Sequence, residues 1–165
     1  MKRLAAILPL LLTACGLQPL YAGGGNGAVA QGMAAIDVSP IEGRAGWLMR
    51  NALNDRLRTG AETGIGAAAR YRLDVRLDDK LEGLGLLSDD TIGRERRTLR
   101  ARYQLVDLTN GNIVLDATAG SDAGIDVVSS EYATIAAENT ALENLSRDVA
   151  DRMVTAIALQ LRAAQ

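Results

Sequence analysis

The sequence predicts an α+β fold: a two-layer sandwich of element order β-α-β-β-β-α, with two helices packed on one mostly antiparallel four-stranded sheet. Three observations lead there. Residues 71–81 and 96–105 alternate apolar with polar, the period of a half-buried strand. Asn110-Gly111, a strong short-range hairpin signal, is followed by a further apolar run. Residues from about 44 to 59 and from about 130 to 163 place apolar residues at helical spacing. Each element has a single apolar face, and stacking the helices on the sheet buries all of them at once.

In chain order, Ala34-Ala35-Ile36-Asp37-Val38-Ser39 alternates weakly and is closed by Pro40, the mark of a short strand at a sheet edge. Leu48, Met49, Leu53 and Leu57, with Ala45 and Ala52 beside them, form the stripe of the first helix, and Gly60 is its stop. Trp47 reads as core or rim packing. In the second strand Tyr71, Leu73, Val75 and Leu77 lie on one face, with Arg72, Asp74, Arg76 and Asp78 on the other. The parity changes at Gly83-Leu84-Gly85-Leu86, which predicts a bulge or bend there. Ser88-Asp89-Asp90 reads as a turn. The returning strand points Leu99, Ala101, Tyr103 and Leu105 one way, and Arg96, Arg100, Arg102 and Gln104 the other. Ile113–Thr118 is the fourth strand. Residues 120–129 turn to Gly, Ser and Asp, with an apolar patch at Ile125, Val127 and Val128. Ala141, Leu142, Leu145, Val149, Met153, Ala156, Ile157 and Leu161 then stripe one long final helix.

Ahead of this domain, Met1-Lys2-Arg3 and the apolar run Leu4–Leu12 read as a secretory signal peptide. The run is about half of the ~20 residues a bilayer span needs, and Pro9 interrupts it. Leu12-Thr13-Ala14-Cys15 resembles the bacterial lipobox, in which the cysteine takes a diacylglyceryl group and becomes the acylated N-terminus after cleavage. Gly16 follows rather than Asp, which in Gram-negative lipoproteins favours export to the outer membrane. Several acyl chains, at about 0.8 kcal/mol per buried CH₂, make such an anchor almost irreversible. The division is then 1–14, signal peptide; 15–33, lipidated N-terminus and glycine-rich tether; 34–165, a single α+β domain on the periplasmic side.

Cleavage removes Lys2 and Arg3 and takes the formal net charge from −2 to −4, which argues against nucleic acid as a partner. With no Phe, one Trp and four Tyr, the core is aliphatic. Lys80 is the one lysine left beside 15 arginines. That bias suits an anionic partner, because guanidinium binds phosphate and carboxylate in a two-pronged way; a GC-rich genome produces the same bias. There is no His, and Cys15 is committed to lipid, so Ser-His-Asp and Cys-His catalysis are excluded, as are His or Cys metal sites and disulfides. Asp78-Asp79 and Asp89-Asp90 read as solvated acids. This is the composition of a binding protein: no catalytic residues, no metal, and no cofactor beyond the acyl lipid on Cys15.

Cys15-Gly16-Leu17-Gln18-Pro19-Leu20-Tyr21 before a glycine tether resembles the start of the lipopolysaccharide-assembly lipoproteins of Gram-negative bacteria, in the alphaproteobacterial style. Arg50-Asn51-Ala52-Leu53-Asn54-Asp55-Arg56-Leu57 resembles that family's Arg-Asn-x-Leu-x-x-x-Leu element. The long hairpin, the Asp107–Gly111 turn and the long last helix fit its layout, while the longer tether and near absence of Lys depart from the enterobacterial pattern. The resemblance implies a plug in the lumen of a large outer-membrane β-barrel, partnered with that barrel and with lipopolysaccharide, which helps the barrel assemble and passes lipopolysaccharide to the outer leaflet. An accessory lipoprotein of another envelope lipid-transport complex accounts for the same anchor and domain. An anchored enzyme working with carboxylates alone and a purely structural spacer are the readings from other classes.

On the resemblance, Arg94, Arg96, Arg100 and Arg102, which share one strand face at ~6.5–7 Å per residue pair, are the lipopolysaccharide- or barrel-binding candidates. They suit lipid A phosphates or acidic residues of a polar lumen. The competing use is cross-strand pairing with Asp74, Asp78 and Glu82. Leu84, Leu86 and Leu87, with Ile92, make an apolar hairpin tip that either contacts a partner or packs on its own domain.

Overall fold

The computed structural model describes residues 27–58, 68–86 and 92–164. Its elements are α1 (Ala28–Ala34), β1 (Ile36–Val38), α2 (Gly43–Leu57), β2 (Tyr71–Leu86), β3 (Ile92–Asp107), β4 (Ile113–Asp126) and α3 (Glu131–Ala163). The sheet runs in the order β1-β2-β3-β4, with β1 parallel to β2 and the other two joints antiparallel. The expected α+β sandwich and strand order are present, with one helix added at the front. Residues 28–33, read as part of the glycine-rich tether, and Ala34, read as the start of the first strand, are helical, and Val29, Ala30 and Met33 are buried. The helix is short, and its docking on α3 through Gly32 against Leu161 gives it the tertiary support such helices need.

Strand alternation decides which face of the sheet is buried. Tyr71, Leu73 and Val75 of β2, Leu99, Ala101, Tyr103 and Leu105 of β3 and Ile125 of β4 are all buried and all odd-numbered. Pairs such as Leu73 with Leu105 and Ala101 with Ala119 keep that parity across the sheet. Onto this face α3 lays Leu142, Leu145, Val149, Met153, Ile157 and Leu161, in one cluster with Met49, Leu53 and Leu57 of α2. Burying each large aliphatic side chain contributes roughly 1.5–3 kcal/mol. Ser130 caps α3, its Oγ accepting the Ala133 N–H at 3.4 Å. Arg44 reaches Asn139 and Arg56 grips Asp151, both across 95 residues of sequence, so α2 and α3 run side by side in the same direction. Trp47 is 63% exposed, off the buried stripe of α2, and takes no part in the core.

Three contacts fix the ends of the sheet. Arg50 Nε donates to the Val38 carbonyl at 3.1 Å, tying α2 to β1, while Leu53 and Leu57 of the same Arg-Asn-x-Leu-x-x-x-Leu element enter the core. Between β3 and β4, Gly111 takes φ +74°, and Asp107 and Asn112 close the turn. Asp107 Oδ1 accepts the Thr109 N–H at 2.8 Å. Farther along the inner face, Arg97 binds both carboxylate oxygens of Asp79, at 2.9 and 2.7 Å, and donates to the Glu138 carbonyl of α3 at 3.1 Å. This latch carries the hairpin's attachment to α3 past the apolar core.

Two local expectations are corrected. β2 and β3 stay in register from Tyr71–Asp107 through Leu84–Arg94, so Gly83–Leu86 carries no bulge; the parity change puts Leu84 on the outer face instead. The irregularity in the sheet lies at Leu105/Val106, opposite β4. β4 also runs on to Asp126, eight residues beyond its apolar stretch, because pairing with β3 supplies the order that its Gly, Ser and Asp residues do not.

Gly46→Ala is expected to destabilise the fold by about 1–3 kcal/mol, because its Cβ would stand 2.5 Å from the Ile41 carbonyl oxygen. Helix propensity alone predicts a gain of about 1 kcal/mol for the same change. Gly32→Ala, which meets only the Leu161 side chain at 3.2 Å, is expected to be neutral or stabilising. Urea midpoints of the two variants decide it; a stabilised Gly46→Ala overturns the packing account. A second expectation concerns acid. Thr109, through its backbone N–H and its hydroxyl, and then Arg70 hold the Asp107 carboxyl below the usual carboxylate value. Its contribution is therefore full above the unfolded value near pH 4 and is lost as pH falls through the folded value. The stability gap between the parent and Asp107→Asn is expected to close between pH 5 and pH 2 in urea titrations; a constant gap rules this out.

Candidate functional site

The sheet face turned away from the helices carries the even-numbered residues of β2, β3 and β4, and no described helix covers it. Arg94, Arg96, Arg100 and Arg102 all lie there and are all exposed, as the strand period predicts. Arg97, which follows Arg96 in the sequence, points to the other face and belongs to the Asp79 latch, where the two side chains are only 15% and 24% exposed.

The arginines find their carboxylates on β4, not on β2. Arg102 bonds Asp116 at 3.2 Å, Arg94 lies 3.5 Å from Asp126, and Arg96 is 4.0 Å from Asp122. The register does set Asp78 opposite Arg100 and Glu82 opposite Arg96. Asp74, however, accepts from Ser39 Oγ at 2.6 Å and pairs with Arg72, while Asp78 pairs with Lys80 at 3.3 Å. The expected cross-strand pairing with Asp74, Asp78 and Glu82 is thus replaced by pairing within β2 and across to β4. Gln104 Nε2, at 2.8 Å, and then Arg102 hold the Asp116 carboxyl below the usual range.

Arg100 has no ion-pair partner among the described residues. Its side chain lies over Gly120 of β4, where a Cβ would stand 3.3 Å from its Cγ, and Arg94 lies over Gly124 in the same way. Glycine at these two positions of β4 therefore makes room for the stem of Arg100 and for the guanidinium of Arg94. Arg76 of β2 faces Arg102 directly, an unfavourable like-charge pair, and it too lacks a carboxylate partner among the described residues. Ser39, Asp74, Arg76, Arg102 and Gln104 line a shallow polar depression of about 580 Å³ beside this pair. Sequence reasoning passed over Arg76, although its place in the alternating charges of β2 was a signal.

Cys15 lies outside the described residues, as do Leu87 and the Asp89-Asp90 turn. Leu84 is half-buried on the outer face; the side chains of Leu86 and Ile92 are likewise outside the described residues. The same end of the molecule exposes Val128, of the apolar patch noted in the sequence, at 50%, together with Leu81, Tyr132 and Ile135, which the sequence did not single out, at 43, 83 and 46%. Asp79, read as a solvated acid, holds Arg97 instead. The arrangement offers guanidinium groups on a flat open surface, suited to binding an extended anionic partner.

Replacing Asp116 by Ala is expected to free Arg102 and delay elution of the protein from a phosphate-bearing cation exchanger, while Arg100→Gln advances it. Unchanged elution salt for both variants removes the face as an anion contact.

Comparison with known proteins follows from this geometry. A family model described as lipopolysaccharide-assembly (LptE) matches residues 33–157. A Caulobacter crescentus chain described as a lipoprotein superposes with a TM-score of 0.67 at 24% identity, covering 84% of this chain and 98% of that one. Rare lipoprotein B from Shewanella oneidensis gives 0.58 at 12% identity, covering 79% and 97%. A minor lipoprotein from Acinetobacter baumannii gives 0.56 at 14%, covering 75% and 91%. At these identities the likeness establishes the fold. No curated protein sequence matches the chain.

Proposed function

Because the chain belongs to the lipopolysaccharide-assembly (LptE) family, we propose that it is an outer-membrane lipoprotein, anchored through acyl chains on Cys15, whose domain plugs the lumen of a large β-barrel. There it helps the barrel assemble and assists delivery of lipopolysaccharide to the outer leaflet. The role is one of binding rather than catalysis. The observation that carries the reading is the open sheet face with Arg94, Arg96, Arg100 and Arg102 in line along β3. The lumen of such barrels is polar, and a flat charged face suits it where an apolar one does not. Arg100, without an ion-pair partner among the described residues, and Arg102, whose exposed pair with Asp116 is worth about 0.2–1 kcal/mol, are free to exchange onto lipid phosphate or lumenal carboxylate. Leu84, half-buried on the same outer face, adds an apolar contact beside the arginines, and Leu86 and Leu87 are proposed as further contacts of the hairpin with the partner.

Affinity purification of the tagged, lipidated protein from solubilised outer membranes tests the reading. One large β-barrel protein in near-equal amount supports it; recovery of other transport components instead favours a different envelope complex. Arg100→Glu/Arg102→Glu is expected to weaken binding to the barrel or to lipopolysaccharide at least about tenfold, the loss of two charge-assisted contacts, with an unchanged circular dichroism spectrum. Undiminished binding by that folded variant rejects the arginine face.

A further inference from the structure

β1 pairs only with Tyr71, Arg72 and Leu73, so the lane beside β2 holds no strand from residue 77 onward among the described residues. The Ser39 N–H donates to the Leu73 carbonyl, which shows that odd-numbered residues of β2 turn their backbone groups to this edge. By alternation Leu77, Asp79, Leu81 and Gly83 present N–H and C=O groups there. Asp79 shows the opening directly. Its side chain, held by Arg97, is only 24% exposed, yet the residue as a whole is exposed, so its backbone meets solvent. An open edge of this kind is a template for another strand.

The side chains along β2 select the strand. On its outer face Arg72, Asp74, Arg76, Asp78, Lys80 and Glu82 alternate in sign. Arg72 pairs with Asp74 and Lys80 with Asp78, which leaves Arg76 and Glu82 exposed and without an ion pair among the described residues. A strand laid in the lane meets these two with residues six apart on its own outer face, and the complementary choice is an acid against Arg76 and a base against Glu82. That acid also relieves the like-charge contact of Arg76 with Arg102. Asp78 and Lys80 neutralise each other and call for neutral residues opposite. On the helix side Leu77 is half-buried and Leu81 is 43% exposed, which suits apolar side chains above them. A depression of about 450 Å³ between residues 40–42 and 75–77 receives the end of the strand, which stops short of β1. Charges along an open edge discourage indiscriminate pairing, and a segment that matches them overcomes the barrier.

We propose that an extended segment of the barrel protein adds to the β2 edge as a fifth strand over residues 76–83, with an acidic residue against Arg76 and a basic one against Glu82. This contact rests on the reading of the domain as a barrel plug and names one element of the partner that the plug would hold. Strands in the wall of a closed barrel already have two neighbours each. The segment is therefore a loop or a terminal stretch that enters the lumen.

Photo-cross-linking of the full-length, lipidated protein in the outer membrane tests it, with the reactive residue placed in turn at Lys80, at Leu81 and, on the outer face of β3, at Thr98. Lys80 and Leu81 are expected to capture neighbouring residues of one barrel-protein segment outside the wall strands. Capture from Thr98 alone overturns the fifth strand and leaves the arginine face standing. Capture from none of the three overturns both, and capture of a wall strand or of lipopolysaccharide from Lys80 and Leu81 overturns the strand. Leu81→Pro removes one N–H from the edge and leaves the β2–β3 hydrogen bonds intact, because odd-numbered residues face away from β3. It is expected to lower recovery of the barrel protein about tenfold with an unchanged circular dichroism spectrum. Arg76→Glu, at an exposed position, is expected to lower recovery about threefold to fivefold and decides the matter if the proline variant unfolds. Undiminished recovery with the folded variants rejects the strand.

Discussion

The period-two alternation of β2, β3 and β4 is the constraint on which everything else in the molecule rests. It sends Leu73, Leu99, Tyr103 and Leu105 under the helices and the arginines of β3 to the other side. A slip of one residue in the β2–β3 register would exchange the two sets, placing guanidinium groups against Met153 and Ile157. The cost of burying unpaired charge makes such a register inaccessible. The same rule that builds the core therefore builds the charged face, and neither can be altered without the other. Gly120 and Gly124 belong to this division of labour. On β4 they give up side-chain packing and strand propensity, and in return the stem of Arg100 packs over Gly120 and the guanidinium of Arg94 over Gly124.

Arg97 is the instructive exception. It lies on the helix side, beyond the last fully buried aliphatic residue of β3, where α3 still runs above the sheet. An isolated guanidinium there would be costly to desolvate. Two hydrogen bonds to Asp79 and one to the Glu138 carbonyl satisfy it, and the hydrogen bonding to Asp79 raises its pKa further above the ordinary arginine value. Such a pair holds geometry more than it adds net stability. Its effect is to keep the long hairpin aligned with α3 over a stretch where apolar side chains are sparse.

The elements with strong periodicity were legible from sequence: β2, β3, the stripe of α2 and the whole of α3. The Arg-Asn-x-Leu-x-x-x-Leu element was legible as a motif, and its physical content became plain only once Arg50 was seen on the Val38 carbonyl and Leu53 in the core. What was not legible depended on neighbours. Helix α1 is glycine-interrupted and held by Leu161, far along the chain. The last eight residues of β4 owe their order to pairing with β3. The direction of the arginine ion pairs could not be read because β3 lies between two acidic strands. Local competition decided it: Ser39, Arg72 and Lys80 occupy the acids of β2 and leave those of β4 open. Of the candidate site, the shared face of Arg94, Arg96, Arg100 and Arg102 followed from spacing alone, whereas Arg76 entered only through the register that sets it opposite Arg102.

The energetics of that face favour exchange over permanence. Its ion pairs with β4 are long or exposed, and each is worth roughly 0.2–1 kcal/mol, with salt reducing them further. A two-pronged guanidinium bond to phosphate or carboxylate in a confined, partly desolvated site is worth about 1.5–3 kcal/mol. On the proposed reading an external anion would win Arg102 from Asp116 once water is excluded, and would meet no competing carboxylate at Arg100 among the described residues. The displaced carboxylates Asp116, Asp122 and Asp126 sit at the outer strand and remain in water, so releasing them adds little desolvation cost. A face built this way stays soluble and self-neutralised when alone. On that reading it would become strongly basic only against a partner that brings its own negative charge.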